Sequence, residues 1–465
     1  MKWECLIAAL LLSCSTAAAQ SPVLSRGTSA AKVATVTANL TISGPSIPNS
    51  FVGISSEAGD LIGGYYQGTT GNAASYIGLA RLLGANGYLR IGGNSSDTAT
   101  PPALTSGIAS NLASFIAGIG AGWKVIYTLD AVANNSATAA TQAGLLATAL
   151  GTANVIFQYG NEPITAGHFN NSTYATMWNA YQTAVTGAVS GALVAAPDDG
   201  LLGGGGTTNQ ASLAGLSVGT AALSFVTIHA YEYCSPTTLT AAPFPLGKWS
   251  SIDAPNFGPV SSWASLTKMR ITEQNAICNQ GQAGMTDTMM NVAYTVMKAS
   301  TLAQFGWAGM DTHNVFPPSG NGGQAANYNA FVQQVDGGFS PGPAFYGMYL
   351  FAQIEGQTIV NSSISGNSSI SAIATQRAAG KANILVANVD AMDSVTITPA
   401  QSSAWSTANV LTVRAGAGAG CTDTTFKLGG QPILEGGSWS GTTFSINNGQ
   451  SITLGPCEAA LVSVQ

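Results

Sequence analysis

Three of the eight glutamates in this 465-residue chain end apolar runs that read as strands: Glu57, Glu162 and Glu273. Glu162 stands in Asn161-Glu162-Pro163 after the run Val155-Ile156-Phe157-Gln158-Tyr159-Gly160, and Glu273 closes Met269-Arg270-Ile271-Thr272. Carboxylates at the ends of parallel strands can converge on one pocket. There one carboxylate can attack a carbon bearing a leaving group while its partner first gives a proton to that group and later takes one from water. Glu162 is the expected general acid/base and Glu273 the expected nucleophile.

The other polar residues at strand ends supply what such a pair needs around it. Arg90, just before Gly92-Gly93-Asn94, either keeps Glu273 ionised through a charge-assisted hydrogen bond or makes a structural salt bridge. His229 and His313 suit ligand hydroxyls or a satisfied core. Tyr231 suits a hydrogen bond to the nucleophile or plain packing. Glu57, Asn94, Asn161, Asn275 and Asn314 complete the candidate ligand contacts. Asp130 and Asp311 read as acceptors at the rim, and Asp198 ends the fifth run.

These residues require a scaffold with parallel strands. From residue 51 to about 315, short runs rich in Val, Ile, Phe and Tyr alternate with helical stretches rich in Ala and Leu. The runs are Phe51–Glu57, Gly87–Gly93, Lys124–Asp130, Asn154–Gly160, Ala192–Asp198, Leu223–Tyr231, Lys268–Asn275 and Phe305–Asn314. That count and size predict a (β/α)8 barrel of the α/β class. A doubly wound sheet is disfavoured because no GxGxxG follows the first run. Beyond residue 340 the pattern becomes alternating short strands between Gly, Asn and Ser, the mark of an antiparallel β-sandwich. The alternating stretch Lys32 to Ile42 is expected to add a strand to that sandwich. The expected organisation is a leader over residues 1–20, N-terminal strand over 21–48, barrel over 49–340 and β domain over 341–465.

Composition narrows the setting. Only 7% of residues are charged, and the 14 basic ones form no Lys/Arg run, which excludes a nucleic-acid footprint. Lys2, the apolar run Leu6 to Leu12 and Ala17-Ala18-Ala19 read as a signal peptide, so the mature chain is expected to be secreted or periplasmic. Leu11-Leu12-Ser13-Cys14 offers the alternative of a lipid anchor on Cys14. No later run is long and apolar enough for a membrane span. Cleavage leaves Cys234, Cys278, Cys421 and Cys457, an even number in an oxidising compartment. Four cysteines allow three pairings. Cys234 with Cys278 and Cys421 with Cys457 keeps each pair within one expected domain. No CxxC or HxxxH spacing suggests a metal site.

Five segments in order resemble glycoside hydrolase family 79, the β-glucuronidases and heparanases. They are Phe51-Val52-Gly53-Ile54-Ser55-Ser56-Glu57, Leu89-Arg90-Ile91-Gly92-Gly93-Asn94, Gln158-Tyr159-Gly160-Asn161-Glu162-Pro163, Ile271-Thr272-Glu273-Gln274-Asn275 and Phe345-Tyr346-Gly347-Met348-Tyr349-Leu350-Phe351. The resemblance implies a clan A barrel with a β-sandwich built from both chain ends. It also implies retaining hydrolysis of a β-glucuronide or glucuronate-containing glycan, with carbohydrate as the only partner and no cofactor. One departure bears on the sugar. Cys278 stands five residues after the nucleophile, where the family places a carboxylate-binding Tyr, and Asn314-Val315-Phe316-Pro317 stands where a second Gly/Tyr stretch would be. Gly320 to Gly323 or Tyr328 are the available replacements. A neutral β-glycoside and non-catalytic carbohydrate binding are the alternatives. A structural adhesin would carry repeats, and this chain has none.

Overall fold

A computed structural model describes residues 32–98, 103–200, 213–233, 265–317, 319, 324–367 and 369–465. The expected leader with Cys14, as well as Cys234 and Gly320 to Gly323, lies outside the described residues. Strand β1 (Lys32–Ser46) precedes eight parallel strands: β2 (Val52–Glu57), β3 (Asn86–Gly92), β4 (Gly122–Leu129), β5 (Val155–Tyr159), β6 (Leu193–Gly200), β7 (Phe225–Tyr233), β8 (Met269–Ile277) and β9 (Gly309–Asn314). They close into the expected barrel when β9 pairs with β2, Val52 beside Met310 through Ser56 beside Asn314. Burial on both faces explains why these strands read as nearly unbroken apolar runs.

Helices return the chain between strands, and their starts are written in the sequence. Thr105 accepts the Ile108 amide, Asn135 accepts the Thr138 amide, and Asn170 forms a capping box with Thr173. The last run is shorter than expected. Helix Met289–Gln304 ends at Phe305, and the strand begins only at Gly309, so Phe305 to Ala308 form the connection. Trp307 and Ala308 are buried there, and the Ala308 amide donates to the Met269 carbonyl at 2.8 Å.

The barrel mouth is irregular in one sector. The register slips between Pro197 and Asp199 on β6 against β7, between Ile271 and Glu273 on β8 against β7, and between Ile271 and Gln274 on β8 against β9. Such bulges re-aim side chains, and these bring His229 level with Glu273.

A short hairpin of β10 (Phe331–Gln333) and β11 (Phe339–Pro341) and helix Pro343–Ala352 lead to the second layer. Its strands are β12 (Thr358–Gly366), β13 (Ile370–Ala378), β14 (Lys381–Asn388), β15 (Val395–Gln401), β16 (Thr407–Ala415), β17 (Phe426–Leu428), β18 (Phe444–Asn447), β19 (Ile452–Leu454) and β20 (Ala459–Val464). With β1 they form one ten-stranded sheet in the order β17-β16-β20-β14-β13-β12-β1-β15-β19, with β18 beside β16. Val36, Ile384, Val386, Ile397 and Val462 share its inner core, while Leu385, Ala387 and Leu461 pack into the barrel-side core. Both faces of β14 are therefore buried. β1 joins as expected, antiparallel to β12, but it runs parallel to β15, so the sheet is not purely antiparallel.

Cys421 and Cys457 are disulfide-bonded across a sequence separation of 36. Replacing both with Ser is expected to destabilise the protein by about 2–4 kcal/mol through the freed unfolded chain. Urea unfolding would measure this as a lower midpoint with a somewhat steeper slope from the more open unfolded chain, and an unchanged midpoint would refute it. Among the described residues no helix is long and apolar enough to cross a membrane.

Candidate active site

A cavity of about 330 Å³ opens at the C-terminal ends of the barrel strands. Its walls include Glu57, Asn94, Glu162, His229, Tyr231, Glu273, His313 and Tyr328. The chain reaches Glu162 through a sharp turn with positive φ at Gly160 (89°) and at Glu162 itself (48°). Two hydrogen bonds hold that turn. The Asn161 amide donates to Asp97 at 2.7 Å and the Glu162 amide to the Asp198 carbonyl at 2.9 Å.

Glu162 and Glu273 each bring a carboxylate oxygen within 4.8 Å of the other. Their surroundings differ. The Glu162 side chain is 25% exposed and the Glu273 side chain 10%. Arg90 Nη1 donates to Glu273 Oε2 at 2.6 Å and the Tyr231 hydroxyl to Oε1 at 2.7 Å. Burial alone would push the Glu273 carboxyl up. His313, His229 and Arg90 outweigh it and hold the group well below the usual carboxylate range.

Behind the pair lies a wholly buried acid, Asp198. Its carboxylate accepts from Arg90 Nη2 at 2.7 Å, Gln158 Nε2 at 2.7 Å and the Thr272 hydroxyl at 2.6 Å, and it lies 2.9 Å from His229 Nε2. Burial opposes its charge, but Arg90 and His229 keep it ionised far below the ordinary range. The His229 ring is buried as well. Desolvation would lower its pKa, yet Asp198 and Glu273 raise it to about 10. Its other nitrogen, Nδ1, lies 2.9 Å from Glu162 Oε1.

On the opposite wall Glu57 Oε2 accepts from the Ser95 amide at 2.8 Å and the Ser95 hydroxyl at 2.5 Å. Oε1 lies 3.5 Å from His313 Nε2. Gly93, at φ 72°, leaves the space this carboxylate fills, and a Cβ there would collide with it. Asn94 sits exposed at the mouth, 3.4 Å from Asn161 Nδ2.

Three expected ligand contacts are placed otherwise. Asn161 is buried with Oδ1 accepting from Arg90 Nη2 at 2.6 Å, so it steadies the arginine. Asn275 donates to the His313 carbonyl at 2.9 Å, and Asn314 donates to the Thr312 carbonyl at 3.0 Å while accepting from the Phe331 amide. Neither Asn275 nor Asn314 lines the cavity. An amide carries both donor and acceptor, which suits it to backbone groups left over where strands diverge. Asp311 pairs with Arg270 inside the barrel at 2.5 Å rather than standing at the rim. Cys278 lines the cavity and is disulfide-bonded, while Cys234 lies outside the described residues. Sequence reasoning missed the role of Asp198, for which its place at a strand end was the available signal. It also missed Asn279 and Gln280, which line the cavity at positive φ (53° and 69°).

No family model matches the sequence, and no curated protein matches it. Solved structures do. A 4-O-α-L-rhamnosyl-β-D-glucuronidase from Fusarium oxysporum 12S superposes with a TM-score of 0.69 at 18% identity, over 92% of this chain and 100% of that one. A GH51 arabinofuranosidase from Xanthomonas axonopodis pv. citri gives 0.66 at 12% identity, over 93% and 100%. A monomeric β-xylosidase from Caulobacter crescentus CB15 gives 0.63 at 11% identity, over 93% and 99%. The chain thus shares with glycoside hydrolases a closed parallel barrel carrying a second layer of β-sheet.

Proposed function

We propose that this chain is a retaining β-glycoside hydrolase acting by double displacement. The observation that carries this reading is the carboxylate pair, with oxygens within 4.8 Å of each other. Retaining enzymes hold their carboxylates about 5–5.5 Å apart, and inverting enzymes need about 6.5–9.5 Å to seat a water. Glu273, ionised between Arg90 and Tyr231, attacks the anomeric carbon. Glu162, the more exposed of the two, protonates the leaving oxygen and then deprotonates water. Glu57, Asn94 and His313 are positioned to receive sugar hydroxyls.

The substrate we propose is a β-glucuronide or glucuronate-containing glycan. The Tyr328 hydroxyl on the cavity wall would serve in place of the tyrosine that Cys278 replaces. The Fusarium oxysporum neighbour, a rhamnosyl-β-D-glucuronidase, agrees with this choice. One observation favours a neutral sugar instead: among the described residues no Lys or Arg lines the cavity, whereas three glutamates do. Hydrolysis of nitrophenyl β-glucuronide, glucoside, galactoside and xyloside decides between them. The glucuronide is expected to give a kcat/KM at least about tenfold above the others, a margin of roughly 1.4 kcal/mol. Turnover of a neutral glycoside alone would overturn the substrate and keep the mechanism.

A further inference from the structure

His229 stands between two carboxylates, with Nε2 2.9 Å from Asp198 Oδ1 and Nδ1 2.9 Å from Glu162 Oε1. A neutral imidazole has only one N–H, so both contacts are hydrogen bonds only if a second proton lies in the chain. Asp198 does not hold it. Its carboxylate already accepts from Arg90, Gln158 and Thr272, every one a donor, so the proton between Asp198 and the ring sits on Nε2. The second proton therefore lies between Nδ1 and Glu162.

We infer that Asp198, His229 and Glu162 form one proton relay: Asp198 fixes Nε2–H, and a single proton shared by His229 Nδ1 and Glu162 Oε1 is lent to the leaving group and recovered from water. The inference rests on the reading of Glu162 as acid/base. In the first half of the reaction the glycosidic C–O bond breaks, its electron pair stays on the leaving oxygen, and the shared proton passes through Glu162 to that oxygen. Glu162 is left ionised facing an unprotonated Nδ1, with Nε2–H still on Asp198. Two adjacent bases are what the second half requires. Water gives its oxygen to the anomeric carbon as the bond to Glu273 breaks, and its proton returns to the Glu162–His229 pair. Protons balance over the cycle, and no co-reactant enters.

The groups that face the ring are set out around it. Asp198 and Asp199 lie on β6 and Glu162 follows β5. Glu273 Oε2 on β8 lies 3.8 Å from Nδ1, and Arg90 Nη2 on β3 lies 3.3 Å from Nε2. Asp199 is occupied by the Thr165 and Gly200 amides. The negative groups outnumber Arg90, in keeping with a ring whose pKa is raised to about 10. The proton that this relay lends is shared by two groups, so its loss at high pH belongs to the pair and not to either group alone.

The test is His229→Asn, whose amide can still donate toward Glu162 but cannot hold an extra proton. In wild type, kcat/KM for an alkyl or unactivated aryl glycoside should stay high well above neutral pH. In His229→Asn its alkaline limb is expected to move to lower pH by about one unit or more. At neutral pH the loss should be on the order of 10²-fold or more for that substrate and under about tenfold for a dinitrophenyl glycoside, which needs no acid. A lower rate with an unmoved limb would mean a structural role, and a limb moving upward would mean a fixed charge; either overturns the relay. A readout independent of activity is available because the chain has only three histidines. ¹⁵N NMR of the protein is expected to show one imidazolium persisting at pH 8, absent in His229→Asn, and its absence in wild type would also overturn the relay. Failure of the acid/base reading itself is separable. In that case Glu162→Gln would lose no more on the unactivated glycoside than on the dinitrophenyl one.

Discussion

Glu273→Gln is expected to abolish turnover, with kcat reduced on the order of 10⁴-fold or more at unchanged fold, equivalent to about 5.5 kcal/mol of transition-state stabilisation. The substitution preserves volume and leaves an amide oxygen for Arg90 or Tyr231, but it removes the electron pair that must bond to the anomeric carbon. The geometry that holds the wild-type group ionised makes the loss specific. Two donors and two nearby histidines keep Glu273 a carboxylate where burial would otherwise protonate it. Glu162→Gln should behave differently. Its loss should grow with the basicity of the leaving group and be partly relieved by azide, which attacks the covalent intermediate without needing a base. Product analysis by NMR should find the β-anomer released first. Residual activity of Glu273→Gln above about a tenth of wild type would move the nucleophile elsewhere, and release of the α-anomer would exclude double displacement.

The carboxylate pair proposed for catalysis was legible because strand ends in a parallel barrel are where long polar side chains converge. Glu57, Asn94, His229, Tyr231 and His313 were found by the same rule, and all of them line the cavity. What that rule lacks is register. The bulges on β6 and β8 decide which strand-end residues point inward and which tie off backbone, and no side-chain pattern announces them. Asn275, two residues beyond Glu273, therefore serves the His313 carbonyl rather than a ligand. Asp198 was visible only as an acid at a strand end, because its importance comes from partners on four other strands. In the β domain the alternation of Lys32 to Ile42 marked β1 as a strand of the sheet. Alternation has period two in either direction, so it could not reveal that β1 runs parallel to β15.

Arg90→Met is expected to destabilise the fold by about 3–5 kcal/mol at neutral pH, and by less in acid. Arg90 is completely buried and pairs at once with Asp198 at 2.7 Å and Glu273 at 2.6 Å. Methionine fills much of the space and leaves two carboxylates in the barrel with His229 as their nearest cation. The sign of the pH dependence follows from proton linkage. In wild type both carboxyls titrate below their unfolded values, so their stabilisation is present above about pH 4 and fades as pH falls toward the folded values. Without Arg90 burial dominates and both folded values rise. Folding then favours the protonated carboxyls, and the variant recovers stability as pH falls through the raised values toward 4. The gap between wild type and variant should thus narrow from both sides. The same rise should carry the acid limb of kcat/KM upward, because Glu273, as the proposed nucleophile, would attack only when ionised. Urea midpoints at pH 7 and pH 4.5, read beside that limb, test both. A loss of stability equal at the two pH values, with the limb unmoved, would reduce Arg90 to a space-filling residue and leave the ionisation of Glu273 to the two histidines.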